Sequence, residues 1–136
     1  MALTLEDIRD LSSRQRDPIR VGELPFEVAI KIGLSNHGVY LSRQSYQHII
    51  DAHGDIDDYK LLLLPQMLKN GLIVQENAKQ NVIIISYLDM SLGLRYVAAL
   101  KIVQSNTEVW VSSMYRAKKR QTKSLILRGT ILKNHN

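Results

Sequence analysis

Apolar positions along the 136-residue chain change their period partway. Early on they recur at three- and four-residue steps, the mark of helices. Leu5, Ile8 and Leu11 make one narrow apolar side, with Thr4 placed to cap it and Glu6 and Asp7 suited to its positive end. Residues 20–24 predict a short strand, and Pro25 fits the first turn of a helix through Val28, Ala29 and Ile32 to Gly33. Val39 and Leu41 then alternate with Tyr40 as a strand, and Ser42 sits where an N-cap is wanted. Tyr46, Ile49, Ile50 and His53 form the face of a helix, with His48 beside that face and Gly54 as its C′ stop. Residues 61–70 predict a buried helix ending at Gly71, with Pro65 at an early turn or restarting it.

From residue 72 the pattern changes to runs rich in Val, Ile, Leu and Tyr, at 72–76, 81–88, 94–103 and 107–115. Turn-forming segments 77–80, 89–93 and 104–106 separate them, and such short loops predict an antiparallel meander. Residues 123–132 read as a weak strand or helix before a frayed tail, 133–136. The expected fold class is α+β, with N-terminal helices packed on a roughly four-stranded antiparallel sheet. Residues 1–136 make one domain, divided into an N-terminal helix and linker (1–18), a core (19–132) and the tail. Strict alternation puts Arg95 and Lys101 on one face of their strand. It groups Val109, Val111, Ser113 and Tyr115 on one face of the last strand, and Trp110, Ser112 and Met114 on the other.

Composition narrows the class. Cysteine is absent, so there is no disulfide framework, thiol nucleophile or thiolate metal site. The N-terminal residues are acidic and amphipathic, unlike a signal peptide, and no apolar run approaches the ~20 residues of a membrane helix. The chain therefore reads as cytoplasmic, or as a domain carried elsewhere by something outside it, with no membrane partner. The net charge of +5 is concentrated at one end. Arg116, Lys118, Lys119, Arg120, Lys123, Arg128 and Lys133 follow one another without an acid, and all 13 acids lie earlier. A basic end on a slightly acidic body points to a polyanion, RNA or DNA first, although it also suits a solubilising tail.

Several polar sets could carry chemistry. His48 and His53, two imidazoles on one helix beside a glycine stop, exceed what a fold requires. Ser113 and Tyr115 either belong to a site or close the core's edge. With the histidines, Asp51, Asp55, Asp57 and Asp58 could suggest a metal, but their spacing matches no ligand pattern and equally suits a solvated helix end. The segment 22–25 is too short for a phosphate loop and reads as a turn.

In order, Val21-Gly22-Glu23-Leu24-Pro25, Val39-Tyr40-Leu41-Ser42, His48-Ile49 with His53, a strand bearing Lys101, and Ser112-Ser113-Met114-Tyr115 form a recognisable series. The chain from about Ile19 to Leu132 resembles the phage-borne branch of the barnase–EndoU–colicin–RelE nuclease superfamily, found in phage, prophage and toxin proteins. The resemblance implies a barnase/RelE-like fold whose open sheet face holds RNA. It implies a metal-independent endoribonuclease without a cofactor, leaving a 2′,3′-cyclic phosphate. His48 and His53 take the family's histidine positions, Lys101 or Arg95 its basic strand position, and Ser113 its hydroxyl position. The family more often has Thr there, and the doubled serine leaves Ser112 as the alternative. Arg95 and Arg116 would neutralise charge, Tyr115 would stack a base or donate to phosphate, and Lys118 and Lys119 would hold the RNA backbone. Toxin-type members add an antitoxin or immunity protein as partner. The competing readings are a non-catalytic nucleic-acid- or protein-binding phage accessory domain of the same fold, and a metal-dependent nuclease.

Overall fold

The computed structural model describes residues 2–103, 105 and 107–134, without the side chain of Lys119. Of the expected turn at 104–106, Gln104 and Asn106 lie outside the described residues, as do His135 and Asn136 of the expected tail. In chain order the elements are α1 (Leu5–Ser12), β1 (Ile19–Glu23), α2 (Phe26–Lys31), β2 (Gly38–Leu41), α3 (Arg43–Ala52), α4 (Asp58–Leu61) and α5 (Leu64–Asn70). β3 (Leu72–Glu76), β4 (Val82–Asp89), β5 (Leu94–Val103), β6 (Glu108–Ala117), α6 (Lys119–Leu127) and β7 (Gly129–Lys133) follow.

The α+β class holds, but the four-stranded antiparallel sheet does not. The sheet has seven strands in the order β1-β2-β6-β5-β4-β3-β7, and it is mixed. Its centre is the expected meander of β3 to β6, antiparallel throughout. Two additions enlarge it. The β1–β2 pair joins one side through a parallel pairing of β2 with β6, and β7 adds to β3 on the other. The barnase/RelE-like picture missed both, because neither pairing leaves a local pattern. The weak element at 123–132 divides at Gly129 into the end of α6 and a strand. A Cβ at Gly129 would collide with Val74 Cγ1 and stand 2.8 Å from the Gln75 carbonyl, so only glycine lets the chain lie this close to β3.

Alternation divides the strands between two faces. One face presents Ile73, Ile83, Ile85, Tyr96, Ala98, Leu100, Val109, Val111 and Met114 to Ile8, Leu11, Ile49, Leu61, Leu64 and Met67 of the helices. α1 is thus part of the core, and its expected Thr4 cap forms a capping box with Asp7. α5 reaches both β1 and β4, while α2 reaches β7, where Lys31 Nζ donates to the Leu132 carbonyl at 2.7 Å. The helical layer therefore ties both outer strands to the centre.

The opposite face is covered in part. α6 lays Leu125 over Ile84, Val97 and Ala117 and sets the Thr122 hydroxyl 3.5 Å from that of Ser86. Toward β6, β2 and β1 the same face carries half-buried Tyr40 and Trp110 and exposed Lys101 and Arg20.

Candidate nucleic-acid interface

α3 is fixed before it meets the sheet. Its Ser42 cap accepts from the Ser45 amide at 3.1 Å, and Asp17 accepts from the Arg43 amide at 3.0 Å, so two of the first-turn donors are satisfied. Tyr46 and Ile49 are buried, and the Tyr46 hydroxyl donates to Asp58 at 2.6 Å. The helix stops where expected, with Gly54 following the C-cap as its C′ residue. His53 is the C-cap, its amide donating to the Ile49 carbonyl at 3.0 Å, and Gly54 is not left-handed.

Because β2 pairs with β6 only at Val39↔Val109 and Tyr40↔Trp110, the later part of β6 is flanked by α3 instead of a strand. The helix end thereby meets the sheet. The His53 ring lies 5.6 Å from that of Tyr115, tilted by 35°, and the His48 ring stands edge-on to His53 at 6.3 Å. His48 is exposed, whereas His53 and Tyr115 are half-buried. Burial raises the Tyr115 phenol above the ordinary tyrosine range; Arg128 opposes this and Glu76 adds to it. The phenol is therefore a neutral hydrogen-bond donor at physiological pH.

A β-bulge corrects the facing of β6. Ala99 opposes Ser113 while Leu100 opposes Val111, so Ser112 has no partner and its hydroxyl donates to the Ala99 carbonyl at 3.1 Å. Val111 and Met114 consequently share the core face, and Trp110 shares the other face with Ser113 and Tyr115, against strict alternation. The bulge also separates the two serines. Ser113 stands in the sheet beside Ala99, and Ser112 sits on the bulge.

The registers then align one row across the sheet. Arg20 pairs with Tyr40, Tyr40 with Trp110, Trp110 with Lys101, and Lys101 with Val82. The Tyr40 and Trp110 rings are 5.8 Å apart at 45°, and the indole Nε1 donates to Glu108 at 3.1 Å. Arg20 gives one guanidinium nitrogen to Glu23 at 3.0 Å.

The remaining expected site residues divide. Arg95 shares the face of Lys101 but stands at the other end of β5, lining a cavity of about 270 Å³ with Ser86, Leu88, Thr122 and Lys123. Arg116 is exposed opposite core residue Tyr96, hence on the face away from Tyr115. Lys118 is exposed at the start of α6, its amide donating to Gln121 at 2.7 Å. Lys119 opens that helix, and its side chain lies outside the description. Three of the four aspartates have structural partners: Asp51 accepts from Gln47, Asp57 caps α4, and Asp58 holds Tyr46, while Asp55 is exposed. Among the described residues no three His, Asp or Glu side chains gather as ligands for a metal ion. Nor is any helix of the described residues long and apolar enough to cross a membrane.

Sequence reasoning missed Arg20, Tyr40 and Trp110. The available signal was Tyr40 alternating out of an apolar strand. No family model, curated protein or solved structure matches the chain, and nothing in these comparisons identifies a nuclease superfamily.

Proposed function

We propose that the protein is a metal-independent endoribonuclease acting at the junction of α3 and β6. The observation that carries this reading is the series His48, His53, Tyr115, which runs from the helix end onto the sheet face bearing Ser113 and Lys101. RNA brings its own nucleophile. One imidazole takes the 2′-hydroxyl proton as that oxygen attacks the adjacent phosphorus, and the P–O5′ bond breaks. The other imidazole, protonated, gives its proton to the departing 5′-oxygen. The neutral Tyr115 phenol stabilises charge on the phosphorane, with Ser113 a further donor, while Lys101, four positions along β5 from the partner of Tyr115, holds a neighbouring phosphate. The products are a 2′,3′-cyclic phosphate and a 5′-hydroxyl. Such an enzyme works in the cytoplasm, and a toxin-type one is held in check by an antitoxin or immunity protein.

The test is incubation with single-stranded RNA in excess EDTA, with analysis of the ends. His53→Ala and His48→Ala should each lower the cleavage rate by about 10²–10⁴-fold, the usual worth of a general acid or base. Ser113→Ala should lower it about tenfold, as the loss of one hydrogen bond to a charged group would. Cleavage that stops in EDTA and returns with a divalent ion transfers the histidines to metal ligation. RNA that is bound but left intact in every buffer favours the non-catalytic reading, which the aromatic row supports by itself.

A further inference from the structure

The row Arg20, Tyr40, Trp110, Lys101 lies outside the proton-transfer machinery yet on the same face, and no step above uses its aromatic members. We infer that Tyr40 and Trp110 form a stacking subsite for unpaired nucleobases, flanked by cations that hold the connecting phosphates, so that the ligand is single-stranded RNA and not duplex. This inference rests on the reading of the face as an RNA-cleaving surface and names the substrate class for it.

Three observations carry it. The two rings sit side by side on adjacent strands, 5.8 Å apart, both half-exposed on a part of the face that α6 leaves uncovered. Two such rings offer a platform on which unpaired bases stack, whereas a duplex hides its base faces. The indole is also oriented. Its Nε1–H is satisfied by Glu108, which fixes the ring while leaving its π-face free of that bond. Finally, adjacent strands stand about 4.8 Å apart, so Arg20 and Lys101, three strand steps from one another, bracket the platform at about 14 Å. Charge complementarity favours a polyanion. Lys101 pairs with no acid among the described residues, and Arg20 spends one guanidinium nitrogen on Glu23, leaving other N–H groups for phosphate. The two nearby carboxylates, Glu23 and Glu108, are both engaged, with Arg20 and the indole respectively. Beyond Arg116, which lies on the opposite face, the acid-free basic stretch continues through α6, which packs on this face.

Trp110 is the sole tryptophan of the chain, so its fluorescence reports on this subsite alone. The full-length protein is titrated with a short 2′-O-methyl RNA, which cannot cleave itself, and with the same sequence as a duplex. Saturable quenching by the single strand and at least tenfold weaker binding of the duplex are expected. With a labelled oligonucleotide followed by anisotropy, Trp110→Leu should lose roughly tenfold to hundredfold in affinity, the range for one stacked base. Trp110→Phe should stay within about threefold, since a ring remains to stack. Lys101→Gln should lower the salt slope by about one unit. Should Trp110→Leu not fold, Tyr40→Leu takes its place with the same expected loss. Unmoved Trp110 fluorescence at saturation, equal binding of duplex and single strand, or full affinity in the Leu variants overturns the inference. The result is separable from the catalytic one. Quenching without cleavage of ordinary RNA strikes only the ribonuclease reading, and cleavage with silent Trp110 strikes only the stacking subsite.

Discussion

Replacing Ile49 by Ala tests the attachment of α3, on which the whole juxtaposition of His53 and Tyr115 depends. Ile49 is 0% exposed and belongs to the main core. The substitution deletes three carbons, worth about 2.4 kcal/mol at ~0.8 kcal/mol per buried methylene. A residual cavity adds to this, because β6 and α1 on either side can relax only partly. Alanine's better helix propensity returns a few tenths of a kcal/mol. The net expected loss is about 3 kcal/mol. Urea unfolding followed by circular dichroism and by Trp110 fluorescence measures it, and the two probes should coincide if the domain unfolds as one unit. Ile30→Ala is the matched control. It makes the same chemical change on another helix, but Ile30 is 62% exposed, so its effect should stay within about 0.5 kcal/mol. A loss below about 1 kcal/mol for Ile49→Ala, or equal losses for both variants, would refute the docking of α3 described above.

Two further outcomes test other parts of the fold. Thr122→Val leaves the buried Ser86 hydroxyl without its partner and should cost about 1–3 kcal/mol in urea unfolding, while adding Ser86→Ala should recover most of that loss. At α1, hydrogen bonding from the Thr4 backbone, aided by the Thr4 hydroxyl and Arg16, holds Asp7 below the usual carboxylate range. A depressed folded value means the contribution is complete above the unfolded pKa and fades as pH falls through the folded one. Asp7→Asn should therefore destabilise at neutral pH and flatten the acid limb of the stability–pH curve, and the variant and parent should converge at the lowest pH.

Much of this arrangement is legible in the amino-acid order. The meander at 72–117 is legible because its runs are long, β-branched and separated by clear turn residues. α3 is legible because Ser42 caps it and Tyr46 and Ile49 share a face. What could not be read depends on partners distant in sequence. Nothing near Val39 says that it will lie parallel to Val109, and nothing in β6 alone says that Ser112 will bulge, since the bulge exists only against the register of β5. That single extra residue decides whether Trp110 lies with Ser113 and Tyr115 or in the core. The stop at Gly54 is legible too, but not its conformation: His53 leaves the helix at φ −128°, ψ 84°, and Gly54 follows it without a left-handed φ.

The parallel β2–β6 contact also has a consequence in time. Tyr40 comes off the ribosome early and Trp110 late, with three helices and three strands of the sheet between them. Pairings of such separation form slowly, after the intervening segments have collapsed. The same holds for His53 and Tyr115. A partly synthesised chain that lacks β6 has α1 beside α3, yet it has no aromatic platform and no junction. Whatever this surface acts upon is safe from a nascent chain and meets it only once the last long strand has been delivered.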